Sequence, residues 1–117
     1  MFDDRSPIYQ QIADQIKEDI LRGALKEDEQ VMSTNQYAAS YQINPATAAK
    51  GFAQLVDEGI LYKRRGIGMF VSPDAPAKLR AERRQRFFTE VVDPMLDEAR
   101  RVGIGIDDIA HYLDGRR

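Results

Sequence analysis

Two helix-start signals stand so close together in this chain that only a tight turn fits between the helices they open. Ser33 and Gln36 match the S-x-x-Q capping box, in which two side chains satisfy backbone N–H groups reciprocally. Asn44 followed by Pro45 is a second start, with proline in the first turn, where its missing N–H costs nothing. The spacing predicts a short helix over residues 33 to 41 and a longer one from Pro45 to about Glu58, stopped by Gly59. On the longer helix Ala48, Phe52, Leu55 and Val56 fall on one side, and Thr47, Lys50 and Gln54 are expected opposite them. One face packs and the other is left to read something.

A further helix precedes this pair. Ser6 reads as its cap and Pro7 as its first residue, with Ile8, Ile12, Ile16, Ile20 and Ala13 on one stripe that Gly23 ends. In the polar connection ALKEDEQVM, Leu25 and Val31 are the apolar anchors. After Gly59 come two extended runs, ILYK and MFVS, joined by RRGIG, whose glycines permit positive φ. Beyond Pro73 the composition turns helical, and Pro94 is predicted to kink or restart that helix. Gly103 and Gly105 bracket a break before a last amphipathic helix carrying Ile109, Tyr112 and Leu113.

A chain of 117 residues with 43% hydrophobic and 31% charged residues is expected to fold around one core. With no cysteine, disulfides, thiolate nucleophiles and thiolate metal sites are excluded. No apolar run approaches the ~20 residues of a membrane span, and MFDDRSPIYQ lacks the pattern of a signal peptide, so a cytoplasmic protein without membrane partners is expected. The net charge of −2 argues against indiscriminate coating of nucleic acid. Basic residues nevertheless concentrate at Lys63, Arg64 and Arg65 and again in KLRAERRQR, residues 78 to 86.

A short helix, a tight turn and a second helix form the geometry that lays the second helix in the DNA major groove. Thr47 and Lys50 then face base edges or phosphates, and Asn44 holds a phosphate near the helix start. Arg64 and Arg65 beside Gly66 and Gly68 suit a hairpin tip lying against the duplex, where glycine lets the backbone approach and arginine enters the minor groove. Helix, helix, helix, hairpin in that order is a winged helix-turn-helix. The G-I-G element lacks the third glycine and following helix of a dinucleotide-binding loop. Asp107 and His111 read as a helix-stabilising pair, and no metal, cofactor or catalytic residue is assigned.

The stretches PIYQQIADQIKEDILRGAL, STNQYAASYQINPATAAKGFAQLVDEGIL and RRGIGMFV resemble the winged-helix domain of GntR-type bacterial transcription regulators, and the NPATAAKGF form with a short tail resembles the YtrA-like subfamily. The resemblance implies DNA contacts at Thr34, Asn35, Thr47, Lys50, Arg65 and Gly66; Ser33 and Pro45, at the two helix starts, join the expected set. Met32, Ser33, Thr34 and Asn35 replace the Pro-Ser-x-Arg common in the family, Ala46 stands where asparagine is frequent, and Ile67 where a basic residue is. Lys50 and Arg65 are therefore expected to contribute most.

The fold class expected is α+β, mostly helical: a winged helix-turn-helix domain over residues 1–73 and a helical dimerisation region over 74–117. Phe87, Phe88, Val91, Val92, Met95 and Val102 exceed what one helix buries and are assigned to a homodimer interface. The function expected is a repressor that binds a palindromic double-stranded operator as a homodimer. A small-molecule effector, of unknown identity, is expected among the tail helices or at the dimer seam, with Tyr112, Phe88 and Met95 as candidate lining residues. The rival reading is a winged helix that docks proteins and touches no DNA.

Overall fold

Pro7, not Ser6, opens the first helix. In the computed structural model, which describes residues 2–117, α1 spans Ile8–Leu21 and the Pro7 carbonyl accepts from the N–H groups of Gln10 and Gln11. Ser6 is displaced from the cap because the Gln11 amide folds back, donating to the carbonyls of Ser6 and Asp3, both at 2.7 Å. The other two starts form as local chemistry dictates. Ser33 caps α2 (Thr34–Tyr41) with both halves of the capping box made, and the Asn44 side chain accepts from the Ala46 N–H at 2.8 Å to cap α3 (Pro45–Asp57).

Ile12, Ile16 and Ile20 from α1 meet Tyr37 from α2, Phe52 and Leu55 from α3, and Leu61 and Val71 from the hairpin, all buried. Each such side chain contributes roughly 1.5–3 kcal/mol on leaving water. α1 and α3 approach closely at Gly51, where a Cβ would stand 2.8 Å from the Tyr9 carbonyl oxygen and 3.2 Å from Ile12. Ala75 and Leu79, beyond the expected border at Pro73, also lie in this core.

The hairpin is β1 (Leu61–Arg64) antiparallel to β2 (Gly68–Val71), each strand one residue off its expected position. The shift arises because Ile60 is taken by the end of α3, its N–H donating to Leu55 at 2.9 Å, while its carbonyl accepts from Ser72. Arg64 and Gly68 thus form the closing pair around Arg65, Gly66 and Ile67. The polar connection before α2 does more than link. Asp28 and Val31 donate to the Val71 and Met69 carbonyls, Val71 donates back to Glu29, and Gln30 bridges Phe70. These bonds cover the outer edge of β2, which would otherwise be an open template for pairing.

Contacts divide the chain into two compact units, Met1–Arg80 and Ala81–Arg117, the boundary falling inside α4 (Ala75–Phe87). In the second unit a π-helical turn, Phe88–Val92, precedes α5 (Asp93–Arg101), and α6 spans Ile106–Asp114. The expected break at Pro94 takes the form of that wide turn: Pro94 has no N–H to give a carbonyl one turn back, and Asp93 instead donates to Phe88 five residues earlier. Gly105, which has no side chain to cap α6, donates its N–H to the Asp108 carboxylate at 3.0 Å.

Candidate nucleic-acid interface

The exposed stripe of α3 is not the one its polar residues suggest. Ala46, Ala49, Lys50, Ala53 and Asp57 face solvent, whereas Thr47 and Gln54 are half-buried on its flank. The reason is Gly51: without a side chain it gives no hydrophobic signal, yet it is buried against α1, and this turns the packed arc towards Thr47 and Gln54. Gln54 is also occupied, donating to Glu58 at 2.9 Å, and Glu58 pairs with Lys17 of α1 at 2.6 Å. Burial opposes ionisation of Glu58, but the bonds from Lys17 and Gln54 outweigh it and hold the carboxyl below its usual value. Lys78, in the first turns of α4, donates to the Glu58 carbonyl at the end of α3.

Lys50 is the one cation on the exposed face of α3. Its ammonium lies 4.1 Å from the centre of the Tyr9 ring, and among the described residues it enters no ion pair. At the helix starts, Ser33 uses its hydroxyl to cap α2, and Asn44 uses its carbonyl oxygen to cap α3, which leaves the Asn44 amide donors uncommitted by the cap. Thr34 is half-buried; Asn35 and Pro45 are exposed.

The wing is stiffened by a cross-strand aromatic pair. Tyr62 and Phe70 stand opposite in register and stack with ring centres 5.6 Å apart, and the Arg64 guanidinium lies 5.2 Å from the Phe70 ring. The Tyr62 hydroxyl donates to Asp28 at 2.8 Å, and that bond raises its pKa. Arg65 and Lys63 extend into solvent beside the tip. Gly66 takes φ of 76°, as the turn requires. Gly68, expected to let DNA approach, already has a reason inside the protein: at φ of 147° a Cβ would stand 2.7 Å from the Gln30 amide, which donates to the Ile67 carbonyl. Sequence reasoning passed over Tyr9, Gln30 and Phe70. For Tyr9 and Phe70 the available signal was aromatic residues flanking an apolar stripe; Gln30 gave none.

In the second unit Phe88 is 66% exposed and Val102 60%, with Phe87, Val91 and Met95 also exposed and Val92 half-buried. Met95 and Tyr112 line one apolar groove with Val102, Ile109 and Leu113, but Phe88, expected to join them, does not line it.

A tight helix pair ending in a solvent-facing helix, followed by a two-stranded wing with arginines at its tip, defines a winged helix-turn-helix DNA-binding protein. Residues 8–71 match the model for bacterial regulatory proteins of the gntR family, and the chain belongs to that family. It is 30% identical over 108 residues to the HTH-type transcriptional repressor YtrA of Bacillus subtilis, covering 92% of this chain and 82% of that one, which places it with the YtrA-like members. Among solved structures it is similar to a GntR family transcriptional regulator from Listeria monocytogenes, with a TM-score of 0.74 at 25% identity over 97% of this chain and 98% of that one. It is also similar to AraR(DBD) in complex with operator ORX1, with a TM-score of 0.57 at 26% identity over 62% of this chain and 93% of that one.

Proposed function

We propose that this regulator is a cytoplasmic repressor that binds a palindromic operator as a homodimer, each copy laying α3 in a major groove and its wing along the adjacent minor groove. The observation that carries the reading is the placement of cations: Lys50 on the exposed face of α3 and Arg64 and Arg65 on the wing. The helix starts at Ser33, Thr34, Asn35, Asn44, Pro45 and Thr47 position the backbone, and Gly66 and Gly68 shape the tip. Because the α3 face is rich in alanine, affinity comes mainly from phosphate contacts at Lys50 and Arg65. The sequence border at residue 73 separates this DNA-binding role from dimerisation through Phe87, Phe88, Val91, Val92, Met95 and Val102. Supporting the dimer is the exposure of most of these side chains in the second unit. An effector that prefers one dimer geometry releases the operator by shifting that equilibrium. No site for a reaction is assigned, and among the described residues no helix is long and apolar enough to cross a membrane.

Footprinting tests the reading on duplexes selected by the full-length protein from a random-sequence library. Two related half-sites one or more helical turns apart are expected. Selection of no preferred sequence, or protection of a single unpaired half-site, would overturn it.

A further inference from the structure

Lys50 carries the only positive charge on the exposed face of α3, and a flexible lysine gives up rotamer freedom when it fixes a contact. Tyr9 limits that freedom beforehand. It sits on the first turn of α1, half-buried, where α1 packs on α3: its carbonyl oxygen lies 2.8 Å from where a Gly51 Cβ would stand, and its ring lies under the Lys50 ammonium at 4.1 Å. Gly51 therefore has two consequences. It admits the α1 backbone, and it brings the neighbouring ring within reach of the neighbouring cation. The ring attracts the charge without neutralising it, because a ring face satisfies none of the three N–H donors in the way a carboxylate would. Lys17 shows the alternative, since its charge is consumed by Glu58 at 2.6 Å.

We propose that Tyr9 is a positioning residue for operator binding: it holds Lys50 extended along α3, with its charge available to DNA, before the duplex arrives. This rests on the proposed role of Lys50 at the DNA. Rotamer freedom already lost in the free protein is not lost again on binding, so the gain appears as affinity. The aromatic face carries the effect and the tyrosine hydroxyl is dispensable to it.

The test uses the full chain and a duplex selected by the wild-type protein, with anisotropy titrations across a salt series. Tyr9→Phe keeps the ring and is expected to bind as wild type. Tyr9→Leu is expected to bind about three-fold more weakly with an unchanged salt slope, while Lys50→Ala reduces the slope by about one unit. The double variant is expected to bind no more weakly than Lys50→Ala alone. Equal loss from Tyr9→Phe and Tyr9→Leu, or losses that add in the double variant, would overturn the inference. If Lys50→Ala binds like wild type, the role of Lys50 at the DNA fails first, and the inference with it. A second measurement does not depend on how Tyr9→Leu folds: the Lys50 side-chain methylene protons of the wild-type protein are expected upfield of ordinary lysine from the ring current, and ordinary shifts there would overturn the inference.

Discussion

At Gly51 a single hydrogen decides how two helices meet. A Cβ there would press on the Tyr9 main chain at 2.8 Å, and backbone cannot turn aside as a flexible side chain can. Gly51→Ala is therefore expected to destabilise the protein by about 1–3 kcal/mol, read as a lower urea midpoint with an unchanged slope. Tyr37 poses the opposite case. Its hydroxyl is buried with no hydrogen-bond partner among the described residues, and burial pushes its pKa from 10.0 up to about 12. The neutral form is the one the fold favours, so its contribution is full below pH 10 and is lost as pH rises towards 12. Tyr37→Phe is expected to unfold at the same or a higher temperature and to lose the alkaline transition in that window.

At the scale of elements, caps and ties set the stability of the reading unit. Ser33→Ala removes an accepted bond from Gln36 and is expected to cost about 1 kcal/mol, measured by denaturation. Glu58 ties the end of α3 to α1 through Lys17. Its carboxyl is depressed below 4.5 in the fold, so its stabilisation is present above that value and fades as pH falls through the folded one. Lys17→Met is expected to lower stability at neutral pH and to flatten the acid limb of the pH–stability curve. These starts and stops were legible in the sequence because each is local chemistry: Ser33 with Gln36, Asn44 with Pro45, Gly59 after Glu58. What was not legible depends on residues far apart. The pairing of residues 28 to 31 with β2, the fit of Gln30 against Gly68 and the burial of Gly51 follow from the meeting of distant segments, and none changes the hydrophobic pattern. The half-burial of Thr47 and Gln54 on α3 is the direct result, since their polarity points to solvent while the packing around Gly51 covers them in part.

For the whole molecule, the proposed account joins two units with different tasks. Phe88 in the second unit is mostly exposed, meeting only the Phe87 ring edge to face among the aromatic contacts of the described residues, and Phe88→Asp is expected to convert a dimer to a monomer by light scattering and to weaken operator binding without altering the fold of the first unit. A wild-type monomer at micromolar concentration would end the dimer account. The central claim, that the wing and α3 place charge against DNA, is tested most directly by the salt dependence of binding to a selected duplex. The account predicts a steep negative slope of log affinity against log salt, made shallower by about one unit in Arg65→Ala. Affinity for DNA indifferent to salt, or an Arg65→Ala slope equal to that of wild type, would contradict it.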